Sequence, residues 1–581
     1  MSSVNDPRAP SPTNTGYPLP VLGVVAPESQ AFHEAAETAN ATRAAGWMRS
    51  RAWQVVATIG AWAYIVLLHW RNDGLWYLGD SAAHAANGAF WWDFLTSLPH
   101  DPFHYALSYY ARYPVINPTA YPPFFYLVEG ALYRVFGISP YVPRAMVLAC
   151  MLLGAIYLVE WIRRWIGAEA GWIGALFVLQ PATVIWGNAI MLNLPSTVMA
   201  IAALYHTRRW LQDLGSRHLY GAGIFGVIAI LTYTPSLVVV PLMIGLVLVE
   251  RKVRVLFTGR VLLVAGVAAL ALIPWVAITF KWAPGHRRAN LYMGPYPWWR
   301  PASWLYYPEA LPPMVSVVVL ALAALAVFFA CTDKRWRPEF RIGLTWLAIC
   351  YVWFSLISVK EGRYALLMVP ACLLLAANAT AALLDAMRSV RWRSIQQGAA
   401  LAAIMLLHVP SAYAVKVRRI NGFQDIVAFM ADVAPHEWVF YSGEYNGIFA
   451  YYLRAHDPQF SRGMVRSSKL LYTTLIDRRF GLQERVHSAA EVLQALRQGC
   501  GCRYLVVERE ASPDIPAEQY LRELLRSDEF RLVRTFQVKT PTVRHVDIYW
   551  SRNPGEPVRA FEILFPELGE GVSYQVEPIQ R

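Results

Sequence analysis

The chain has 581 residues, of which 56% are hydrophobic and 16% charged, against about 25% charged in a typical soluble domain. That balance excludes an ordinary water-soluble enzyme, and repeated apolar runs near the ~20 residues that cross a bilayer make this a polytopic helical membrane protein. The formal charge of +13 does not mark a nucleic-acid binder, because Arg and Lys fall in short clusters between apolar runs rather than along one solvated groove.

Residues 1–45 are rich in Pro, Ser, Asn and Ala and read as a flexible cytoplasmic tail. The next apolar run is flanked by Arg49 and Arg51, which reads as a first span rather than a secretory signal. Apolar runs then lie at 52–70, 143–162, 171–187, 190–207, 218–233, 235–250, 261–280, 311–331, 342–358, 364–384 and 396–414. Basic clusters at Arg49/Arg51, Arg163/Arg164, Arg208/Arg209, Arg251/Lys252/Arg254, Lys334/Arg335/Arg337 and Arg388/Arg391/Arg393 all fall on one side, the cytoplasmic one, if each run crosses once. The scheme holds only if 121–137 does not cross. That segment is short and carries Glu129 and Arg134, so it is expected to lie in the interface with its Tyr and Phe at headgroup level. The expected topology is eleven spans, an inside N-terminus and an outside C-terminus, in the inner (plasma) membrane.

On that scheme residues 71–140 form a first outer loop, too long and too rich in Asp, His, Trp and Tyr for a simple connector. Residues 46–414 make the membrane domain. In 415–581 strand-like and helix-like stretches alternate, for example EWVFYSG, CRYLVVERE and AEQYLRELLRS, which indicates an extracytoplasmic α/β domain with an at least partly parallel sheet. Its last stretch, VRAFEILFPELGEGVSYQVEPIQR, has no clear pattern. Of the six cysteines, Cys150, Cys331, Cys350 and Cys372 sit in or beside apolar runs and act as small hydrophobes. Cys500 and Cys502 are too close for an easy disulfide and lack a second pair for zinc.

Asp80 follows the first span and opens the helix-like stretch SAAHAANGAFWWDFL. A carboxylate partly shielded at a membrane boundary can act as a general base; the same residue also suits a helix N-cap. His84 lies one turn on, where it either touches substrate or orients the carboxylate, or is simply an interfacial polar group. Lys360 and Arg363 in VKEGRY, and Arg287 and Arg288 in KWAPGHRRANLYMGPYPWWR, are cations on the expected outer face. Arg suits phosphate because its planar fork donates two hydrogen bonds together; contact with lipid headgroups is the plainer alternative. Glu361 can neutralise a neighbouring cation. Tyr121 either lines a cavity or, with Pro122 and Pro123, only starts the interfacial helix. Trp298, Trp299, Trp304, Tyr306 and Tyr307 can stack on sugar rings or form an aromatic belt. His100, His104 and His286 lack metal-ligand spacing, so no metal and no other cofactor is expected.

Four landmarks in order, GDSAAH, YPPFFYLVEGALYRVFG, MLNLP and VKEGRYALLMVPA, resemble those of the GT-C superfamily of membrane glycosyltransferases, in particular the protein O-mannosyltransferases and lipid A aminoarabinose transferases. The resemblance covers roughly residues 50–385. It implies an inverting glycosyltransferase that takes sugar from a polyprenyl-phosphate donor and passes it to a hydroxyl of a lipid, glycan or protein acceptor, with Asp80 acting beside the donor. The family often has a second acid where this chain has Ser81, and another where it has Asn193; Asn can hydrogen-bond but cannot take a proton at neutral pH. An oligosaccharide polymerase or ligase, a lipid transporter or flippase, and a non-catalytic homologue are the alternatives.

Overall fold

In the computed structural model the described residues are 46, 48–71, 74–76, 80–282, 294–332, 338–387, 393–474, 482–540, 543–557, 559–565, 568 and 572–577. Each of the eleven apolar runs carries helix. Helix α1 (Arg51–His69) leads into a two-residue strand β1 (Leu75–Trp76), and three helices fill the first loop: α2 (Asp80–Ser97), α3 (Pro102–Arg112) and α4 (Phe124–Phe136). Helix α5 (Tyr141–Trp165) follows, then a bent pair, Glu169–Leu179 and Pro181–Asn188, meeting at 48°. The break falls where Pro181 removes a backbone donor and cannot continue the preceding turn. Next come α6 (Asn193–Asp213), α7 (Ser216–Thr232), α8 (Val239–Val249), α9 (Gly259–Trp282), α10 (Pro301–Ala310), α11 (Val317–Thr332) and α12 (Pro338–Leu356). A tight 3-10 turn, Gly362–Met368, then runs into α13 (Val369–Ala386), and α14 (Arg393–Ala414) closes the series. The run expected at 311–331 begins its helix only at Val317, after Pro312 and Pro313, whose missing backbone N–H groups cannot join a helical ladder.

Among the described residues, five helices are long and apolar enough to cross a membrane, and six if the bent pair counts as one span. Helix α4 is not among them: its 13 residues extend only about 20 Å. It packs instead on α2. A Cβ on Gly88 would lie 2.5 Å from Glu129 Cδ, and one on Gly130 would lie 2.7 Å from the Gly88 carbonyl oxygen, so this crossing tolerates only glycine at both positions. Glu129 is fully buried there, and burial pushes its carboxyl well above the ordinary value, opposed by the Tyr133 hydroxyl. That hydroxyl lies within hydrogen-bond distance of both Glu129 Oε1, at 2.8 Å, and the Ala85 carbonyl, at 3.1 Å.

After α14 the chain returns to the first loop. Strand β2 (Arg419–Ile420) pairs antiparallel with β1, Leu75 opposite Ile420 and Trp76 opposite Arg419. The Arg419 guanidinium donates to the carbonyls of His69 (2.6 Å) and Asn188 (3.1 Å), and Arg144 donates to that of Gly74 (2.8 Å). These bonds satisfy the frayed end of α1 and fix the approach to Asp80.

Beyond β2 come α15 (Phe423–Val433), β3 (Trp438–Ser442), α16 (Asn446–Ala455), β4 (Gly463–Arg466), β5 (Tyr472–Thr474), β6 (Leu482–Glu484), β7 (Tyr504–Glu508), β8 (Phe530–Lys539) and β9 (Val543–Ser551). Five of these strands form one sheet in the order β4-β3-β7-β9-β8, parallel across β4-β3-β7 and antiparallel across β9 and β8. The C-terminal stretch that had no clear pattern contains a small hairpin, β10 (Phe561–Leu564) with β11 (Ser573–Val576).

The sheet docks on the first loop through a buried polar lock. Arg454 on α16 forks onto Asp93 of α2, Nη2 to Oδ2 at 2.8 Å and Nε to Oδ2 at 3.1 Å, while the Tyr109 hydroxyl donates to the same oxygen at 2.8 Å. The Tyr113 hydroxyl donates to Asp457 at 2.6 Å, and Arg454 lies 4.3 Å above the Phe460 ring. Removing one partner of such a buried pair costs about 3–5 kcal/mol.

At the end of β7, Glu508 is buried and accepts from the Tyr441 hydroxyl (2.6 Å) and the Tyr445 N–H (2.7 Å). Burial pushes its carboxyl up to about 7 from 4.5. Between those values the folded chain holds a proton that the unfolded chain has lost. Stability from this group is therefore fully present below about pH 4.5 and is lost as pH rises toward 7, by on the order of 3 kcal/mol. Thermal unfolding of purified protein between about pH 5 and 8 should show the Glu508→Gln variant gaining stability relative to wild type as pH rises. A difference between the two that does not change with pH contradicts the burial argument.

Candidate active site

Asp80 is the first residue of α2, and Arg363 sits in the 3-10 turn before α13, 283 positions later. The fold brings them together: Arg363 Nη1 donates to Asp80 Oδ2 at 2.8 Å. The guanidinium is 10% exposed and the carboxylate 38%, so the acid keeps a solvent-facing side. Glu361 is looser, 4.0 Å from Arg363 Nη2 and 40% exposed. Arg363 Nε is buried without a hydrogen-bond partner.

Each member of this ion pair lines a cavity, Arg363 one of about 10 Å3 and Asp80 one of about 340 Å3. The smaller is lined by Arg363, Asn193, Ser196, Tyr233, Ser236 and Tyr364. Asn193 is the first residue of α6, 5% exposed, and its side-chain Oδ1 has no partner. The larger, about 340 Å3, runs from Asp80 and Tyr121 to Arg466 and Glu444 of the sheet domain, within the usual size of a small-molecule site. Asp80 thus touches the larger space and Arg363 the smaller.

His84 lies one turn along α2 and is buried. Its Nδ1 is 2.7 Å from the Tyr126 hydroxyl, and its ring meets the edge of Tyr121 at 4.7 Å. Burial, helped by the Arg363 charge and opposed by Asp80, pulls its imidazole down to about 4. It is neutral at physiological pH and orders aromatic groups behind the acid. Tyr121 in turn stacks 6.4 Å from Tyr233, joining the first loop to the end of α7.

Lys360, expected as a phosphate contact, is turned toward backbone carbonyls. Its ammonium donates to the carbonyls of Phe354 (3.0 Å), Ser355 (2.9 Å) and Ile357 (2.6 Å), so all three protons are spent on capping the end of α12. Arg287 and Arg288 lie outside the described residues. Of the expected aromatic group, Trp298 and Trp299 are exposed while Tyr307 is buried. Among the described residues no group of three or more His, Cys, Asp or Glu side chains is arranged to hold a metal. Sequence reasoning missed Arg466, Glu444 and Phe565, which lie on the sheet domain yet line the Asp80 cavity. Glu444 directly follows the strand-like stretch EWVFYSG, whereas Arg466 and Phe565 fall in stretches where no strand was expected.

A family model described as dolichyl-phosphate-mannose-protein mannosyltransferase matches residues 120–278, which include Tyr121, Asn193 and Tyr233. Among solved structures, ArnT from Cupriavidus metallidurans bound to undecaprenyl phosphate aligns with a TM-score of 0.54 at 15% identity, over 87% of this chain and 99% of that one. Apo ArnT from the same organism gives 0.56 at 16%, over 85% and 98%. The oligosaccharyltransferase AglB from Archaeoglobus fulgidus, in complex with an inhibitory peptide and a dolichol-phosphate, gives 0.50 at 12%, over 78% and 69%. No curated protein sequence matches the chain. These findings bear out the resemblance to the GT-C membrane glycosyltransferases: the chain has the fold of that superfamily, a multi-pass helical membrane domain followed by a sheet-containing domain.

Because His84 is held neutral by its burial, its ring resonances in selectively labelled protein should stay constant from about pH 8 down to about pH 5. A titration centred near 6.5, the ordinary imidazole value, would refute the sealed pocket.

Proposed function

We propose that this protein is an inverting glycosyltransferase that moves a sugar from a polyprenyl-phosphate donor to an acceptor hydroxyl at the extracytoplasmic face of the membrane. The single observation that carries the reading is the Asp80–Arg363 pair, whose two members each line a cavity. Support for a lipid-phosphate donor comes from the fold shared with ArnT, whose structure holds undecaprenyl phosphate, and with AglB, whose structure holds dolichol-phosphate. The eleven-run pattern with its one-sided basic clusters supports eleven spans, an inside N-terminus and a sheet domain outside, in the plasma membrane.

The residues divide the work by charge. Arg363 lines the smaller cavity, where its unpartnered Nε can donate to an anion and the orphaned Asn193 Oδ1 can accept from a sugar hydroxyl. At about 10 Å3 that cavity holds about one water, so a donor phosphate enters only as its side chains part, and then takes the guanidinium from Asp80. Losing that cation raises the basicity of the carboxylate as the donor arrives. The acceptor hydroxyl, entering from the larger cavity, then attacks the anomeric carbon. A new C–O bond forms, the bond from the anomeric carbon to the phosphate oxygen breaks, and its electron pair leaves on the polyprenyl phosphate. The hydroxyl proton passes to Asp80, and Arg363 steadies the charge that grows on the departing phosphate. Attack opposite the leaving group inverts the anomeric centre. The phosphate is a good enough leaving group to depart without a protein acid, so the scheme needs neither an acid at Ser81 nor one at Asn193. Lys360, committed to helix capping, takes no part.

In purified protein reconstituted with a polyprenyl-phosphate sugar, Asp80→Asn should lower transfer at least about a hundredfold while leaving donor binding unchanged or tighter. Arg363→Gln should weaken donor binding as well as turnover. Wild-type turnover in the Asp80 variant removes the base and, with it, the proposed reaction.

A further inference from the structure

The larger cavity is built by two parts of the chain that are far apart in sequence. Tyr110 on α3 and the segment Pro114–Thr119 form one side, and Glu444, Arg466 and Phe565 of the sheet domain form the other. Three of its lining residues, Asp80, Glu444 and Arg466, are charged, and two of them are halves of ion pairs. Asp80 is neutralised by Arg363 at 2.8 Å, and Glu444 by Arg544 at 2.7 Å. Arg466 has no carboxylate partner among the described residues. Its Nη1 donates to the Pro114 carbonyl at 3.1 Å and to the Tyr110 hydroxyl at a long 3.4 Å, and its buried Nε donates to nothing.

Of the other arginines near this interface, two have carboxylate partners and one, like Arg466, has only a neutral acceptor. Arg454 forks onto Asp93 and Arg544 takes Glu444, and Arg112 donates to the Phe460 carbonyl and lies 5.9 Å from the Trp438 ring. A guanidinium left partly desolvated without a counter-ion costs free energy unless something supplies the negative charge. A second cation stands just behind: Lys469 Nζ lies 5.9 Å from the Tyr110 ring and 5.7 Å from that of Phe565. Those two rings meet edge to face at 5.0 Å, giving an apolar face beside the cation. Asn446 and Asn117 add neutral hydrogen-bonding groups.

We infer that this cavity is an acceptor site contributed jointly by the sheet domain, and that Arg466 selects an acceptor saccharide bearing an anionic group, a carboxylate or a phosphate. The inference rests on the proposed transfer reaction for the word acceptor, but not for the binding itself. The sugar ring lies against Tyr110 and Phe565, its anion takes the free edge of Arg466, and a hydroxyl is left facing Asp80 along the same cavity. Arg466 is a specificity-determining residue here, and Glu444, held by Arg544, repels an anion placed at the wrong end.

Saturation-transfer NMR on full-length protein in nanodiscs tests this, with methyl glucuronide, methyl glucoside 6-phosphate and neutral methyl glucoside as probes. Wild type should bind at least one anionic probe about tenfold more tightly than the neutral one, and which anion wins identifies the group. Arg466→Gln should erase the preference. Arg466→Lys, which keeps charge and loses the fork, should retain part of it, and settles the matter if the Gln variant does not fold. Binding is read without a sugar donor and without turnover, so a failed transfer assay and a failed binding assay are separate results. Equal binding of all three probes, a preference unchanged in both Arg466 variants, or displacement of the anion by undecaprenyl phosphate would overturn the inference; the last would mark the cavity as the donor's.

Discussion

Helix α2 is clamped by an ion pair near each end, and the rest of the site depends on that clamp. At its start Asp80 takes Arg363 from the membrane helices; four turns on, Asp93 takes Arg454 from the sheet domain. Between them Gly88 lets α4 press against the helix more closely than any side chain would allow. The two pairs differ in burial, and the difference fits their use. Asp93 is 12% exposed and Arg454 8%, whereas Asp80 is 38% exposed beside its 10% exposed partner. The first is a lock, costly to open. The second has one side in water and can exchange partners at lower cost.

That exchange is what makes an Asp paired with an Arg a plausible base in chemical terms. A carboxylate bound to a guanidinium is a poor proton acceptor, and the same carboxylate without it is a better one. Neutral His84 behind it adds no competing charge. On the proposed reaction, the arrangement would couple the arrival of the donor to the reactivity toward the acceptor.

Much of this was legible in the chain because membrane proteins write their fold in long apolar runs. All eleven runs carry helix, and the failure of 121–137 to span followed from charge placement alone, before the length of α4 was known. The sheet was readable as strands alternating with helices and at least partly parallel, although β4 itself was not expected. Asp80 and Arg363 were each visible as polar residues at the ends of apolar runs, but their meeting was not, since nothing local encodes a contact over 283 positions. Lys360 misled for a related reason: a lysine after a helix reads equally as a ligand contact or as a cap, and only the three carbonyls around it decide. Arg466 lay in a stretch where no strand was expected. Its meaning comes from what does not stand beside it, and an absent counter-ion has no sequence signature.

The long separations between partners also bear on how the protein is made. Asp93 must wait for Arg454, 361 positions downstream, which at ordinary rates of synthesis is roughly twenty to seventy seconds. Through that interval the first-loop helices stand without the surface that covers them, and the β1–β2 ribbon that ties the first loop to the chain beyond α14 cannot form. The cavity around Asp80 therefore comes into being late, when the sheet domain folds onto helices already in place. Until then the nascent chain holds a carboxylate and a guanidinium but no chamber, so it is inert toward sugar while its membrane insertion is still under way.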